Sequence, residues 1–182
     1  MPFYTCDFPG LLVFEPNVFE DNRGFFFESY NENVFKQQGL DLSFVQDNQS
    51  SSSYGVIRGL HYQVNPAGQS KLVRVLSGTI LDVAVDLRKG SPGFGTFFSI
   101  ELSAENKKQL FIPKGFAHGF SVLSEKAEVF YKCDGFYSKE NEAGIRYDDL
   151  SLNINWKIPA DKIIVSEKDR NLPSFKDCKN NF

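Results

Sequence analysis

The feature that most constrains this chain is a long succession of short strand-like runs, each closed by glycine, proline or serine. Phe25 to Tyr30, Phe44 to Asn48, Val56 to Gln63, Lys71 to Leu76 and Thr79 to Leu87 come first. Thr96 to Leu102, Gln109 to Ile112, Ala117 to Leu123 and Ala127 to Cys133 follow. Runs of this length, separated by turn residues, read as strands of an antiparallel sandwich or barrel. Ser77-Gly78, between two of them, reads as a compact hairpin turn, and Ser50 to Ser53 reads as a loop. Only Asn31 to Gln38 and Ser103 to Lys107 read as short helical turns. From Tyr137 onward the chain is polar and irregular until Ile163-Ile164-Val165, which predicts a tail wrapped over the β core. The aromatic load of 19 Phe against 1 Trp favours strands as well. A length of 182 residues with no internal repeat or linker predicts one domain over 1–182.

Composition removes several classes of function. A formal charge of -3 leaves no basic footprint for a general nucleic-acid binder. No apolar run approaches the roughly 20 residues that cross a bilayer, and the first residues lack a secretory signal, so a cytoplasmic protein is expected. Cys6, Cys133 and Cys178 are odd in number, far apart and without a CxxC, which fits reduced thiols better than disulfides or a zinc finger.

Period-two reading then places polar groups on apolar faces. Lys71 shares a face with Val73 and Val75, His118 with Phe116, Phe120 and Val122, Tyr131 with Val129 and Cys133, and His61 with Gln63. Each residue alone has an ordinary structural explanation; a lysine stem, for instance, reaches the rim of an apolar face. A barrel that turns these faces inward gathers them in one cavity. Arg58 and His61 are three apart, which strict alternation sends to opposite faces. Gly59 permits a bulge that brings both inward. An Arg beside a His suits an anionic substrate and a general base.

His61 and His118 are the only histidines. The second lies in Pro113-Lys114-Gly115-Phe116-Ala117-His118, a PxGxxH string that resembles the second motif of the cupin β-barrels. Where the first cupin motif has a His-x-His pair for metal, this chain has His61-Tyr62-Gln63, so a three-histidine site cannot form and a metal-free cupin is expected. A His, His, carboxylate set remains formally open. The resemblance extends along nearly the whole chain. Asp21-Asn22-Arg23-Gly24-Phe25-Phe26-Phe27-Glu28, Val45-Gln46-Asp47-Asn48, Val56-Ile57-Arg58-Gly59-Leu60-His61-Tyr62-Gln63 and Gln69-Ser70-Lys71-Leu72-Val73-Arg74-Val75 resemble the dTDP-4-dehydrorhamnose 3,5-epimerase family. So do Asp82-Val83-Ala84-Val85-Asp86-Leu87-Arg88, Ala127-Glu128-Val129-Phe130-Tyr131-Lys132-Cys133 and Ser166-Glu167-Lys168-Asp169. Tyr147, where the family often has Trp, and Leu150, where Pro commonly follows the aspartates, depart from the pattern.

The resemblance implies an all-β, cupin-like jelly-roll β-barrel with a few short peripheral helices and an irregular C-terminal tail. It implies inversion at C3 and C5 of dTDP-4-dehydro-6-deoxy-D-glucose, by proton abstraction α to the C4 ketone, in dTDP-L-rhamnose and hence cell-surface polysaccharide biosynthesis. An imidazole, with an ordinary pKa of about 6.5, suits His61 as base. On the resemblance Asp169 orients it, although Lys168-Asp169-Arg170 alone reads as solvated charge. Lys71 stabilises the enolate, and Tyr131 is the acid, with nearby cationic charge easing release of its proton. Arg23, Glu28, Gln46, Asp47, Asn48, Arg58, Lys71, His118, Glu142 and Lys168 match substrate-binding positions. With no P-loop and no GxGxxG, side chains must hold the diphosphate, and arginine's planar fork matches it. No cofactor is expected, and the partner is a second copy of the chain in a homodimer. Three other readings compete: a single-centre epimerase of a related nucleotide-linked 4-keto sugar, a non-catalytic sugar-nucleotide-binding cupin, and a metal-dependent isomerase or dioxygenase.

Overall fold

The computed structural model describes residues 3–182. One sheet has six strands in the order β1-β2-β10-β7-β12-β5: Phe3–Thr5, Leu12–Phe14, Gln109–Ile112, Lys71–Ser77, Lys126–Cys133 and Gln46–Ser53. The facing sheet has the order β13-β6-β11-β8-β9: Glu142–Gly144, Ile57–Gln63, Phe116–Val122, Thr79–Asp86 and Phe97–Ser103. Every pairing between these strands is antiparallel. The predicted all-β, cupin-like jelly roll is therefore what the chain forms.

Side-chain alternation builds three apolar layers from these two sheets. Val73 and Val75 of β7, Val129 of β12, Ile80 and Ala84 of β8 and Phe116, Phe120 and Val122 of β11 meet between the sheets. The opposite face of the second sheet offers Leu81, Val83, Val85 and Ala117. It is covered by the C-terminal tail through Leu152, Trp156, Phe175 and Phe182. The opposite face of the first sheet packs Phe14, Leu72 and Phe111 on Phe35 of helix α1, Glu32–Gln37, which Asn31 caps. A largely irregular tail thus covers the outer face of the second sheet, as expected. It contains two short 3₁₀ turns, the edge strand β13 and helix α2, Glu167–Arg170.

Four local expectations are corrected. Ser77-Gly78 does not close a hairpin, because β7 and β8 lie in different sheets; the pair turns the chain from one sheet to the other. Gly78 has φ +77°, and a Cβ there would run into the Lys126 carbonyl oxygen. Ser50 to Ser53 is not a loop but the second half of β5, paired from Val129 to Lys126 of β12. An edge strand with one face to a cavity and one to water has no apolar layer to fill, so serine is admissible there. The run from Phe25 to Tyr30 is strand only over β4, Gly24–Phe26, which pairs solely with β3, Phe19–Asp21. Ser103 to Lys107 is a turn in which Ser103 and Asn106 exchange side-chain to backbone hydrogen bonds at 3.1 and 2.9 Å.

Candidate active site

Between the sheets, where the apolar layer stops, lies a cavity of about 800 Å³. His61, Lys71, Tyr131, Asp169, Gln46, Asn48, Arg58, His118, Glu142 and Lys168 all line it. The inward gathering expected from alternation is thus present. The bulge at Gly59 is also real: His61 pairs with His118 and Arg58 with Phe120, so two residues on β6 oppose one on β11. Gly59 has φ +123°, and a Cβ there would sit 2.6 Å from Gly119 Cα, so only glycine permits this crossing.

His61 Nε2 is 2.9 Å from Asp169 Oδ1, and the Gly59 N–H donates to Asp169 Oδ2 at 3.1 Å. Asp169 is only 4% exposed, because α2 lays it against β6, with Ser166 capping the helix by accepting from the Asp169 N–H. The solvated charge that Lys168-Asp169-Arg170 suggests is thus a buried carboxylate. Burial pushes its carboxyl up, but His61, the Gly59 N–H and Ser166 outweigh that and hold it below the ordinary range. The pairing leaves His61 Nδ1 as the nitrogen without a hydrogen bond among the described residues.

Lys71, Tyr131 and Cys133 face this pair from the other sheet. Lys71 Nζ lies 5.7 Å from the Tyr131 ring centre. Burial pushes the Lys71 ammonium down, against the pull of Cys133 and Asp82. Burial and Cys133 push the Tyr131 phenol up, and Arg58 opposes them without prevailing. The easing of Tyr131 by cationic charge is real in direction and outweighed in size.

His118, on the cavity lining, forms a second imidazole–carboxylate pair with an acid behind it that the sequence reading does not single out. His118 Nε2 is 2.7 Å from Asp82 Oδ1, and Asp82 is completely buried. Asp82 Oδ2 has no hydrogen-bond partner among the described residues. The signal for it was available: Asp82 alternates with Ile80 and Ala84 on the inward face of β8, as Lys71 does with Val73 on β7. Gln63, Gln69 and Tyr137 also line the cavity and had no assigned role.

Three expected binding residues lie outside this cavity. Asp47 alternates outward on β5 and binds Lys132 Nζ at 3.0 Å. Glu28 accepts from Asn31 Nδ2 at 3.0 Å, beyond the hairpin. Arg23 sits in the β3–β4 hairpin, exposed and bound to Asp21 by its Nε at 3.1 Å. Among the described residues no three His, Cys, Asp or Glu side chains converge as a metal set.

A family model described as dTDP-4-dehydrorhamnose 3,5-epimerase matches residues 5–177. The chain belongs to this family. The dTDP-4-dehydrorhamnose 3,5-epimerase of Shigella flexneri is 54% identical to it over 179 residues, covering 98% of each chain. A crystal structure of the enzyme of that name from Elizabethkingia anophelis NUHP1 superposes with a TM-score of 0.94 at 53% identity, covering 100% of this chain and 99% of the other. An epimerase from Legionella pneumophila, solved in complex with dTDP-4-keto-L-rhamnose, is 44% identical with a TM-score of 0.92, covering 96% and 93%. At the position of the second histidine of the cupin pair, Gln63 directs its amide to the Ala67 and Phe136 carbonyls and to the Ser138 N–H.

Proposed function

We infer that the chain epimerises dTDP-4-dehydro-6-deoxy-D-glucose at C3 and C5 to dTDP-4-dehydro-L-rhamnose, as an isomerase of dTDP-L-rhamnose biosynthesis. The observation that carries the reading is the opposition of His61–Asp169, on one sheet and its covering helix, to Tyr131 and Lys71 on the other sheet. A sugar ring held between the sheets presents one face to the base and the other to the acid. His61 removes the proton on the carbon beside the ketone, and the electron pair left behind forms an enolate. Lys71 stabilises the developing oxyanion, an effect worth about 2.7–4 kcal/mol for one such donor. Tyr131 protonates the opposite face, and both groups return to their starting states by exchange with solvent. The direction of the Tyr131 shift suits an acid that keeps its proton until the enolate forms.

His118, held by Asp82 beside His61, binds the sugar near its ketone. Arg58 and Lys168 supply positive charge for the diphosphate; Arg58 is aimed by Nε donating to Ser52 Oγ at 2.9 Å. The commitment of Gln63 to backbone groups supports a reaction that needs no bound metal, and the chemistry is redox-neutral. Arg23 and Glu28 are read as serving a partner's cavity in a homodimer, and the cytoplasm is the proposed location. No helix among the described residues is long and apolar enough to cross a membrane.

The test is incubation with dTDP-4-dehydro-6-deoxy-D-glucose in heavy water, followed by NMR. Deuterium at both C3 and C5 with inverted product is expected, and it should persist after exhaustive chelation. Label at one carbon alone would assign a single-centre epimerase instead. Loss of turnover on chelation and its return with one divalent metal would overturn the metal-free mechanism.

A further inference from the structure

Beyond the catalytic groups, three glutamines converge on one short segment. After β12 the chain passes through residues 135–138, and each of these four has a backbone polar group held by a glutamine side chain. Gln69 Nε2 donates to the Gly135 carbonyl at 2.6 Å. Gln63 Nε2 donates to the Phe136 carbonyl at 3.4 Å, and Gln63 Oε1 accepts from the Ser138 N–H at 2.6 Å. Gln46 Oε1 accepts from the Tyr137 N–H at 3.0 Å. The glutamines come from β6, from the segment before β7 and from β5, so they draw on both sheets.

We propose that Gln63, with Gln46 and Gln69, is a positioning residue that fixes residues 135–138 as the wall against which the nucleotide-diphosphate end of the substrate binds. A segment with no strand partner of its own is otherwise free to sample many backbone states, and ordering it on binding costs affinity. Here the ordering is built in before the ligand arrives. Of the four, Tyr137 lines the cavity, on its exposed side: Tyr137 and Lys168 are exposed, whereas His118 on the same lining is buried. Its hydroxyl end is tied across the opening, since Tyr137 Oη donates to Glu142 at 3.1 Å and Lys168 Nζ donates to Glu142 at 2.6 Å. The arrangement gives Gln46 a second part besides lining the cavity. Its Oε1 accepts from the Tyr137 N–H and its Nε2 donates to Asn48 Oδ1 at 3.1 Å, so it ties the wall to β5.

The inference rests on the proposed function for the identity of the ligand, so the test separates the two. Gln63→Met keeps the length of the side chain and removes both donors and the acceptor; Gln69→Met removes only the hold on Gly135. Dissociation constants for dTDP by calorimetry and amide hydrogen exchange of the 134–140 region need no turnover. The expected result for Gln63→Met is faster exchange in that region, with the sheet strands unchanged. Its Kd for dTDP and KM for the sugar nucleotide should rise about tenfold or more, with kcat within about threefold of wild type. Gln69→Met should shift the same quantities less, and it carries the test if Gln63→Met does not fold. Faster exchange with unchanged Kd would overturn the proposal, as would a fall in kcat at constant KM. A wild-type chain that binds dTDP but does not epimerise the sugar would refute the proposed function, and the Kd comparison would still decide the role of Gln63.

Discussion

Replacing Asp169 with Asn tests whether the carboxylate sets the state of the base. Asp169 faces two donors, the Gly59 N–H at 3.1 Å and His61 Nε2 at 2.9 Å. A carboxylate accepts from both; an amide has one acceptor and one donating nitrogen. If the Asn oxygen keeps Gly59, its NH₂ faces His61 Nε2, and the ring can satisfy it only by carrying its proton on Nδ1. That is the nitrogen needed to take the substrate proton, so the base is lost while the ring stays in place. If the Asn oxygen turns to His61, its NH₂ meets the Gly59 N–H in a buried site, which costs about 1–3 kcal/mol for the unsatisfied donors. Loss of an acid–base function is worth about 10²–10⁴-fold, and a wrong tautomer in an analogous dyad sits at the upper end. We expect kcat to fall by about 10²–10⁴-fold, deuterium wash-in at C3 and C5 to fall with it, and Kd for dTDP to be retained. The stability difference carries a sign in pH. Because the folded carboxyl of Asp169 is held below its ordinary value, its contribution is present above the unfolded pKa of about 3.9 and is lost as pH falls through the folded one. Wild type and variant should therefore converge in acid denaturation. A variant within about tenfold of wild-type kcat would remove Asp169 from the mechanism.

The alkaline limb of kcat should belong to Lys71, whose ammonium burial pushes down, so activity is expected to fall at a pH below the ordinary lysine value of about 10.4. Lys71→Arg, which stays charged, should lower kcat and move that limb upward; an unmoved limb assigns it elsewhere. Tyr131→Phe is expected to retain deuterium wash-in while inverted product falls sharply, read by NMR on the same samples, and equal loss of both would place Tyr131 with enolate stabilisation. The β3–β4 hairpin exposes Phe19 by 66%, Phe25 by 60% and Phe26 by 71% while pairing with nothing else in the described chain, so sedimentation should give a dimer. Phe19→Ser with Phe26→Ser should shift it to monomer and reduce activity; an active monomeric wild type would count against a shared site.

What could be read from the sequence follows from where period-two alternation has an apolar reference. Lys71, His118 and Tyr131 stand out because valines and phenylalanines on the same strand declare which face is inward. The same rule reaches Asp82, which alternates with Ile80 and Ala84, but a carboxylate in Asp82-Val83-Ala84-Val85-Asp86 looks like the polar half of an amphipathic strand when both of its faces are in fact covered. The outer cover of β8 is the tail from Leu152 to Phe182, which has no periodicity of its own. Alternation alone therefore could not show that β8 is buried on both sides. The second half of β5 escapes for the opposite reason: Ser50 to Ser53 has no apolar residue to mark a face, although Ser50 lines the cavity with Gln46 and Asn48 of the same strand. Turn chemistry misled only where the partner was distant, since Ser77-Gly78 fits a hairpin locally and the sheet to which β8 belongs is decided by β9 and β11.

Asp169 and the Gln63 bracket were out of reach of local reasoning for a further reason. Both depend on a segment outside the two sheets being held against a strand more than sixty residues away in sequence. Nothing in Lys168-Asp169-Arg170 announces burial; it follows from Ser166 starting a four-residue helix that packs on β6. The bulge at Gly59 is the other half of that contact. It turns the Gly59 N–H to Asp169 Oδ2 while His61 reaches Oδ1, so one departure from alternation fixes the ring of the base and neutralises part of the burial cost of its carboxylate. A Gly59→Ala chain would have to place its new methyl 2.6 Å from Gly119 Cα at a positive φ, and relief of that clash pulls both hydrogen bonds apart together.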